Sequence, residues 1–545
     1  MKLAIAQLDY HVGNFEKNSS KIIEAIQKAK ENKADLIIFS ELCICGYPAR
    51  DFLEFNDFIA LCEKSVMQIA GYCVGIAAIV GAPAINTAPK GKALFNSAYF
   101  LKDGRIDKII HKTLLPNYDI FDEYRYFEPN RKFECIELNG KKIALTICED
   151  LWNIDDDPLY LENPMDHLIK ENPDFAVNIA ASPFSFTHDA RRTKVLQLNA
   201  STYKIPFFYV NHTGAQTELI FDGCSTIVLP DENMYKMASF KEEIQYFDLD
   251  EVKQGKGFGQ YVPIDKYELI YNALIEGIKS YFNKLGFKKA VLGLSGGIDS
   301  AVVLALAVKA LGIENVLAVL MPSPYSSDGS KTDSLDMIKK LGVDHQVIPI
   351  IPAMDAYAGL LAPSFTGLKP DITEENIQAR IRGAILMALS NKLNLIVLNT
   401  SNKSEFAVGY STMYGDSIGA FSVLGDVYKT EVYKLAAYIN KVQENAIPDS
   451  IIKKAPSAEL RPDQKDADSL PPYEKLDPIL FQYIENQKGP MEMIEMGFDE
   501  DLVYRICKMV NQTEYKRFQA PPVLRVSDKA FGLGRRLPIV AKYLG

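Results

Sequence analysis

Three side chains in the first 150 residues have the types needed to cleave an amide: Glu41 in IIFSEL, Lys112 in HKTLLPNY and Cys148 in ALTICEDLW. A thiol attacks an amide carbon well as its thiolate, a lysine ammonium stabilises that charge, and a carboxylate can take the proton and later activate water. Lys112 could also donate to the oxyanion of the tetrahedral intermediate. Glu123 is a candidate second carboxylate beside them. Each residue alone would be ordinary, and Cys148, after the apolar run IALTI, would by default be a core thiol. All three types together are what such chemistry would need.

A second constellation lies near the middle of the chain, where the apolar run KAVLGL passes through Gly293-Leu294-Ser295-Gly296-Gly297-Ile298-Asp299-Ser300 into AVVLALAVKAL. Two glycines let the backbone bring its N–H groups close to an anion, Ser295 and Ser300 offer hydroxyls, and the helix N-terminus behind them favours negative charge. Asp299 would repel bare phosphate, so its presence implies a bridging Mg2+ held by hard oxygen ligands. The string has neither the lysine of a Walker A loop nor the spacing of a dinucleotide fingerprint. Glu405 and Asp416 follow the apolar run LIVLNT, where a site outranks the usual fate of a single acid on the surface. Arg380 and Arg382 are two apart and point to different faces of a helix; Arg380 is the one expected to reach a phosphate.

The elements that must position these groups follow an α/β pattern. Before residue 250, the short apolar runs LAIAQL, DLIIFSEL, GIAAIVGAPAI, SAYFLKD, KIALTICED, FAVNIAAS and PFFYVNHTG read as strands, and helical periodicity covers residues 20–30 and 57–69. Many of these strands end in a polar residue, and ligand chemistry in α/β folds gathers at strand ends. The glycine-rich stretch 251–262 reads as a linker between a domain over 1–250 and another over 263–545. Beyond it a helix over 265–285 leads to strands KAVLGLS, NVLAVLMPS, HQVIPI and LIVLNTSN with helices between, a doubly wound parallel sheet.

The loop resembles the SGGxDS loop of the ATP pyrophosphatases, which cleave ATP to AMP and pyrophosphate while activating a carbonyl as its adenylate. The stretches TEENIQARIRG, VLNTSNKSEFAVGYSTMYGD, VLGDVYKTEVYKL and KAPSAELRPDQKDADSLPPY narrow the resemblance to NAD+ synthetases. EYKRFQAPPVLRVSDKAFGLGRRLPI is similar to the tail of the longer, glutamine-dependent members. Glu41, Lys112 and Cys148 together resemble the Glu-Lys-Cys triad of the nitrilase superfamily. The resemblance covers nearly the whole chain.

It implies a nitrilase-like αββα sandwich glutaminase followed by a Rossmann-like, adenine nucleotide alpha hydrolase-like domain. The pair would act as a ligase that forms a C–N bond with glutamine as nitrogen donor. Tyr118, Ser182 and His188 would bind glutamine, His188 standing where a lysine is more usual. The 293–300 loop, Thr400 and Lys429 would bind ATP, and Asp299 and Glu405 would hold Mg2+. Asn376, Arg380, Glu405, Asp416 and Lys516 would meet deamido-NAD+; Phe518 stands where an arginine is more usual. The resemblance also implies a homo-oligomer and a passage that delivers ammonia neutral.

Composition bounds the alternatives. A chain of 545 residues exceeds one hydrophobic core, and 48% hydrophobic with 24% charged residues fits globular domains. The formal net charge of -10 disfavours sequence-independent nucleic-acid binding. A transfer-RNA-modifying enzyme could share the ATP loop, but the acidic balance and the lack of paired cysteines in the second half oppose it. Eight scattered cysteines read as free thiols, and Cys43 and Cys45 lack the partners of a zinc site. The opening MKLAIAQLDY turns polar too early for a signal peptide, and no apolar run reaches bilayer length, so a soluble cytoplasmic protein with no membrane partner is expected.

Overall fold

The computed structural model describes residues 1–154, 158–462 and 464–544. The chain forms two compact units, Met1–Ile264 and Asp265–Gly545.

The first unit contains two six-stranded sheets. In one, Lys2–Gln7 pairs in parallel with Leu36–Ile38, which pairs in parallel with Ala77–Ile85; Leu94–Lys102 and Arg105–His111 extend the sheet antiparallel, and Glu243–Asp248 closes the other edge against Lys2–Gln7. In the other, Lys141–Ile147, Phe175–Ala180 and Phe207–Asn211 run parallel, flanked antiparallel by Ile136–Leu138, Thr226–Val228 and Met234–Lys236. Alternation along the strands explains the layering. Leu3, Ile5 and Ile38 point into a core shared with Ile143, Leu145 and Ile147 of the second sheet, whereas Ala4, Ala6 and Ile37 pack on Ile22, Ile26 and Ile69 of helices Phe15–Glu31 and Asn56–Ala70. Helix His188–Tyr203 covers the second sheet through Val195, Leu196 and Ala200. This is an αββα sandwich.

The stretch 251–262 belongs to this first unit. It continues the short helix Leu249–Lys253; Gly259 bridges Met234, and Phe258 and Tyr261 pack on the core between the sheets.

The second unit is built on a five-stranded parallel sheet in the order Asp344–Val347, Val316–Leu320, Ala290–Gly293, Ile396–Asn399, Phe421–Ser422. Successive strands run outward from Ala290–Gly293 in one direction and then restart at Ile396–Asn399 on its other side. That reversal is the topological switch point at which such sheets bind ligands, beyond the carboxyl ends of the strands. Helix Ile298–Leu311, almost wholly buried from Ile298 to Ala307, packs beside helices Lys266–Leu285 and Lys429–Val442. A smaller helical cluster around Leu476, Leu480, Val503 and Ile506 forms the rest of the core.

Candidate active sites

In the first unit the chemistry-bearing residues follow strand ends. Glu41 lies in the turn after Leu36–Ile38, Lys112 follows Arg105–His111, Cys148 follows Lys141–Ile147, and Ser182 follows Phe175–Ala180. The Glu41 turn crosses directly over Gly81. A Cβ there would stand 2.3 Å from the Leu42 nitrogen and 2.7 Å from the Ser40 oxygen, so only glycine lets the turn seat. Cys148 adopts φ +44°, a left-handed conformation costly for a residue with a Cβ, and opens a short 3-10 turn over Cys148–Leu151. Such strain gathers at functional sites.

Lys112 is the hub. Its Nζ donates to Glu41 Oε1 at 2.7 Å and to the two Glu123 oxygens at 2.9 and 2.8 Å, with all three side chains buried. Asn96 also donates to Glu41 Oε1 (2.7 Å), the Ala181 N–H to Glu41 Oε2 (2.9 Å), and the Tyr47 hydroxyl to Glu123 (3.1 Å). Burial works against the Lys112 ammonium, but Glu123 and Glu41 outweigh it and hold its pKa well above the usual range. Burial pushes Glu123 up to about 7 despite Lys112. Burial and the Glu41 charge also push the Cys148 thiol well up, and Lys112 opposes them without prevailing. Cys148 is therefore held as a thiol rather than the thiolate that a neighbouring lysine suggests, by burial first and then by the negative charge that surrounds that lysine.

Around this hub, Tyr118 and Tyr160 both donate to Glu149 Oε1, at 2.8 and 3.0 Å. Ser182 Oγ lies 2.8 Å from His188 Nε2, and the His188 ring stacks on Trp152 with centroids 5.0 Å apart. Two glutamine candidates are thus bonded to each other and the third reaches a buried carboxylate beside Cys148. Sequence reasoning missed Glu149, Tyr160 and Asn96, although Glu149 adjoins the nucleophile in the string TICEDLW.

In the second unit, Gly293 to Ser300, Thr400, Glu405, Asp416 and Lys429 all line one cavity of about 420 Å³ at the switch point. The loop is cross-braced by its serines: Ser295 Oγ lies 3.2 Å from Ser300 Oγ and accepts from the Gly297 N–H at 3.2 Å. Gly296 has φ +80°, and a Cβ on it would lie 2.5 Å from the Ser330 oxygen, so glycine is obligatory. Lys429 bonds Asp299 and stands 3.9 Å from Glu405. Asn402 joins the two acids: its Nδ2 donates to Asp299 Oδ1 at 3.1 Å while its Oδ1 caps the helix Lys403–Val408 at the Glu405 N–H. Burial and then Asp299 push Glu405 up to about 8, whereas Asp299 and Glu405 overcome burial to raise Lys429. Asn402 was not foreseen, although it lies three residues before Glu405 as a capping residue should.

The remaining candidates gather around the turn 409–416. Thr412 Oγ1 donates to Asn376 (2.8 Å), the Thr412 N–H donates to Asp416 (2.6 Å), and Lys516 Nζ donates to the Gly409 and Ser411 carbonyls at 2.7 and 2.8 Å. Burial pushes Asp416 up to about 6. Arg382, rather than Arg380, lines the cavity: its Nε donates to the Met321 carbonyl, and burial lowers it to about 10. Arg380 is exposed, with Nε on the Met413 carbonyl at 3.3 Å. Phe518 is 64% exposed. Asp463, within the stretch 454–473, lies outside the described residues.

Fold and sites define a class, a nitrilase-type amidase unit and an ATP-pyrophosphatase-type synthetase unit on one chain. The chain matches the carbon-nitrogen hydrolase family over residues 2–255 and the NAD synthase family over residues 270–520. It is 42% identical to a glutamine-dependent NAD(+) synthetase of Synechocystis sp., with 99% of each chain covered, and 38% identical to one of Thermotoga maritima, over 100% of this chain and 99% of the relative. The structure of glutamine-dependent NAD+ synthetase from Acinetobacter baumannii in complex with ADP matches with a TM-score of 0.78 at 37% identity, covering 99% of this chain and 98% of that one. One from Cytophaga hutchinsonii matches in fold, with a TM-score of 0.84 at 19% identity, over 99% of this chain and 98% of that one. The chain belongs to the glutamine-dependent NAD+ synthetases.

Proposed function

We propose that the first unit hydrolyses glutamine at Glu41, Lys112 and Cys148 and that the second uses the released ammonia to convert deamido-NAD+ to NAD+ with ATP. What supports this reading is that one chain carries both a buried Lys-carboxylate hub beside a strained cysteine and a glycine loop at a switch point.

Cys148 Sγ attacks the carboxamide carbon as its proton passes to Glu41. Lys112 donates to the oxyanion, and collapse of the intermediate expels ammonia, which carries away the proton from Glu41. Water then attacks the thioester carbonyl, with Glu41 taking its proton, and releases glutamate and the thiol. Tyr118, Ser182 and His188 orient the substrate, and Glu149 offers a carboxylate to its α-ammonium group.

In the second unit the nicotinate carboxylate of deamido-NAD+ attacks the ATP α-phosphate, pyrophosphate leaves, and ammonia displaces AMP from the adenylate. The 293–300 loop, Thr400 and Lys429 hold ATP; Asn376, Asp416 and Lys516, with Arg380 at the exposed edge, meet deamido-NAD+. Asp299 and Glu405 fit Mg2+: they are hard oxygen donors, and the charge crowding that raises Glu405 is what a divalent cation relieves. Mg2+ would neutralise negative charge on the departing phosphates. Helix Ile351–Leu361 supports a homo-oligomer, because it has no buried residue yet carries Tyr357 and Leu360 at 49% and 77% exposure. Eight buried free cysteines are in keeping with a reducing cytoplasm, and no described helix is long and apolar enough to cross a membrane.

The test is NAD+ formation from deamido-NAD+ and Mg-ATP with glutamine or ammonium, in wild type and Cys148→Ala. The variant is expected to lose glutamine-driven synthesis and keep ammonium-driven synthesis. A wild type inactive with both donors would refute the synthetase reading.

A further inference from the structure

Asp150 is buried and belongs to neither the triad nor the rim of the glutamine site. Its Oδ1 accepts from the N–H groups of Thr113 (2.9 Å) and Leu114 (2.8 Å), and its Oδ2 accepts from the N–H of Ile147 at 3.0 Å. Thr113 and Leu114 directly follow Lys112, and Ile147 directly precedes Cys148. One carboxylate therefore brackets two segments that are far apart in sequence and carry two of the three catalytic groups.

Both halves of the bracket matter locally. Residues 113 and 114 belong to no strand or helix, so their buried N–H groups lack ladder acceptors, and Asp150 supplies one for both. Lys112 itself is anchored through its backbone, its N–H on the Asn96 carbonyl (2.8 Å) and its carbonyl on the Asn130 N–H at 2.9 Å. On the other side, the bond to Ile147 closes the 3-10 turn back on its own start and holds the strained φ of Cys148.

We infer that Asp150 is a positioning residue for glutamine hydrolysis, a clamp that sets the placement of Lys112 relative to Cys148 without touching the substrate. This inference rests on the proposed glutaminase. Burial pushes the Asp150 carboxyl up to about 7 while these three N–H donors pull it down, so the buried acid is held against its desolvation by the same bonds that form the clamp.

The full-length protein carries the test, with Asp150→Asn as the main variant. Asparagine has the same shape and keeps an oxygen for Thr113 and Leu114, but sets an NH2 against the N–H of Ile147, so the Cys148 side alone is released. Misplacing reacting groups by about 1 Å costs on the order of 10²-fold in rate. Glutamine-driven kcat should fall by that order while the KM for glutamine stays within about twofold, since the rim that binds glutamine is untouched. Asp150→Ala, which opens both halves, should fall further; if it proves insoluble, the isosteric variant decides alone. Ammonium-driven synthesis, which bypasses this site, is the control for an intact second unit. Glutamine-driven kcat within about threefold of wild type in Asp150→Asn, or a kcat loss matched by an equal rise in KM and a lowered unfolding midpoint, would overturn the inference. Failure of the parent reading would show in the wild type, as absence of glutamine-driven synthesis.

Discussion

Both sites are built on a buried lysine between two carboxylates, yet they differ in what surrounds the pair. Lys112, Glu41 and Glu123 are enclosed, and their remaining bonds go to protein: Asn96, the Ala181 N–H and Tyr47. Lys429, Asp299 and Glu405 front a cavity, with the two acids retaining 16% and 17% side-chain exposure. The enclosed hub is complete as it stands and suited to covalent chemistry with its own groups. The open one is left short of positive charge and suited to a ligand that brings a cation with it.

The largest expected effects come from removing each lysine. Lys112→Met leaves two buried carboxylates without a counter-charge, held only by the neutral donors Asn96, the Ala181 N–H and Tyr47, a change that costs about 3–5 kcal/mol. Glutamine-driven synthesis should vanish and the unfolding midpoint of the first unit should drop. Lys429→Met should abolish synthesis with both donors but destabilise less, because water in the cavity can reach Asp299 and Glu405. Thermal unfolding with donor-resolved assays checks both; equal destabilisation by the two variants would break the comparison.

A smaller effect tests the enclosure itself. Burial pushes Glu123 up to about 7 in the folded chain, above the ordinary carboxylate near 4.3. Its folded pKa is raised, so its contribution to stability is full below about 4.3 and is lost as pH rises through 7. Between pH 5 and 8 the wild type should lose on the order of 1–3 kcal/mol from this group, and Glu123→Gln should lose that much less. Trp152 is the chain's single tryptophan and stacks on His188 in the first unit, so its fluorescence reports denaturant unfolding there. Parallel pH profiles for variant and wild type would show that water reaches the hub.

The same contrast explains what was legible in the sequence. Glu41, Cys148 and the 293–300 loop each end a strand whose apolar run announces it, so local pattern placed the element; Lys112 instead follows Arg105–His111, a largely half-exposed strand that no apolar run marks. Glu123, expected as a second carboxylate beside the triad, does meet Lys112, but it lies in an irregular stretch with only the four-residue helix Glu123–Tyr126, so no local pattern places it there. Strand Glu243–Asp248 escaped notice because its residues are all only half-buried and its partner, Lys2–Gln7, lies at the other end of the unit. The glycines of 251–262 suggested a free connector, whereas Phe258 and Tyr261 fasten that stretch to the first core. Arg380 and Arg382 were rightly read as facing different ways, but which face meets the cavity depends on how helix Ile372–Leu393 packs, and Arg382 is the one inside. The cluster of Asn376, Asp416 and Lys516 joins three separate segments, which no single window can display.

The smallest effect is expected at the rim, where the enclosed site meets solvent. Tyr118 is 41% exposed and shares Glu149 Oε1 with Tyr160. Removing either hydroxyl leaves that oxygen one donor, so Tyr118→Phe loses one bond out of two at a rim where water can replace part of it, about 1 kcal/mol. If that carboxylate binds the α-ammonium group as proposed and touches no reacting atom, the loss should appear in both ground and transition states. The KM for glutamine should rise about fivefold with kcat unchanged, and ammonium-driven kinetics should not move. A fall in kcat at constant KM would instead mean that the Tyr118–Glu149 pair acts on the reacting groups, and the enclosed hub would then extend outward past Cys148 to the surface.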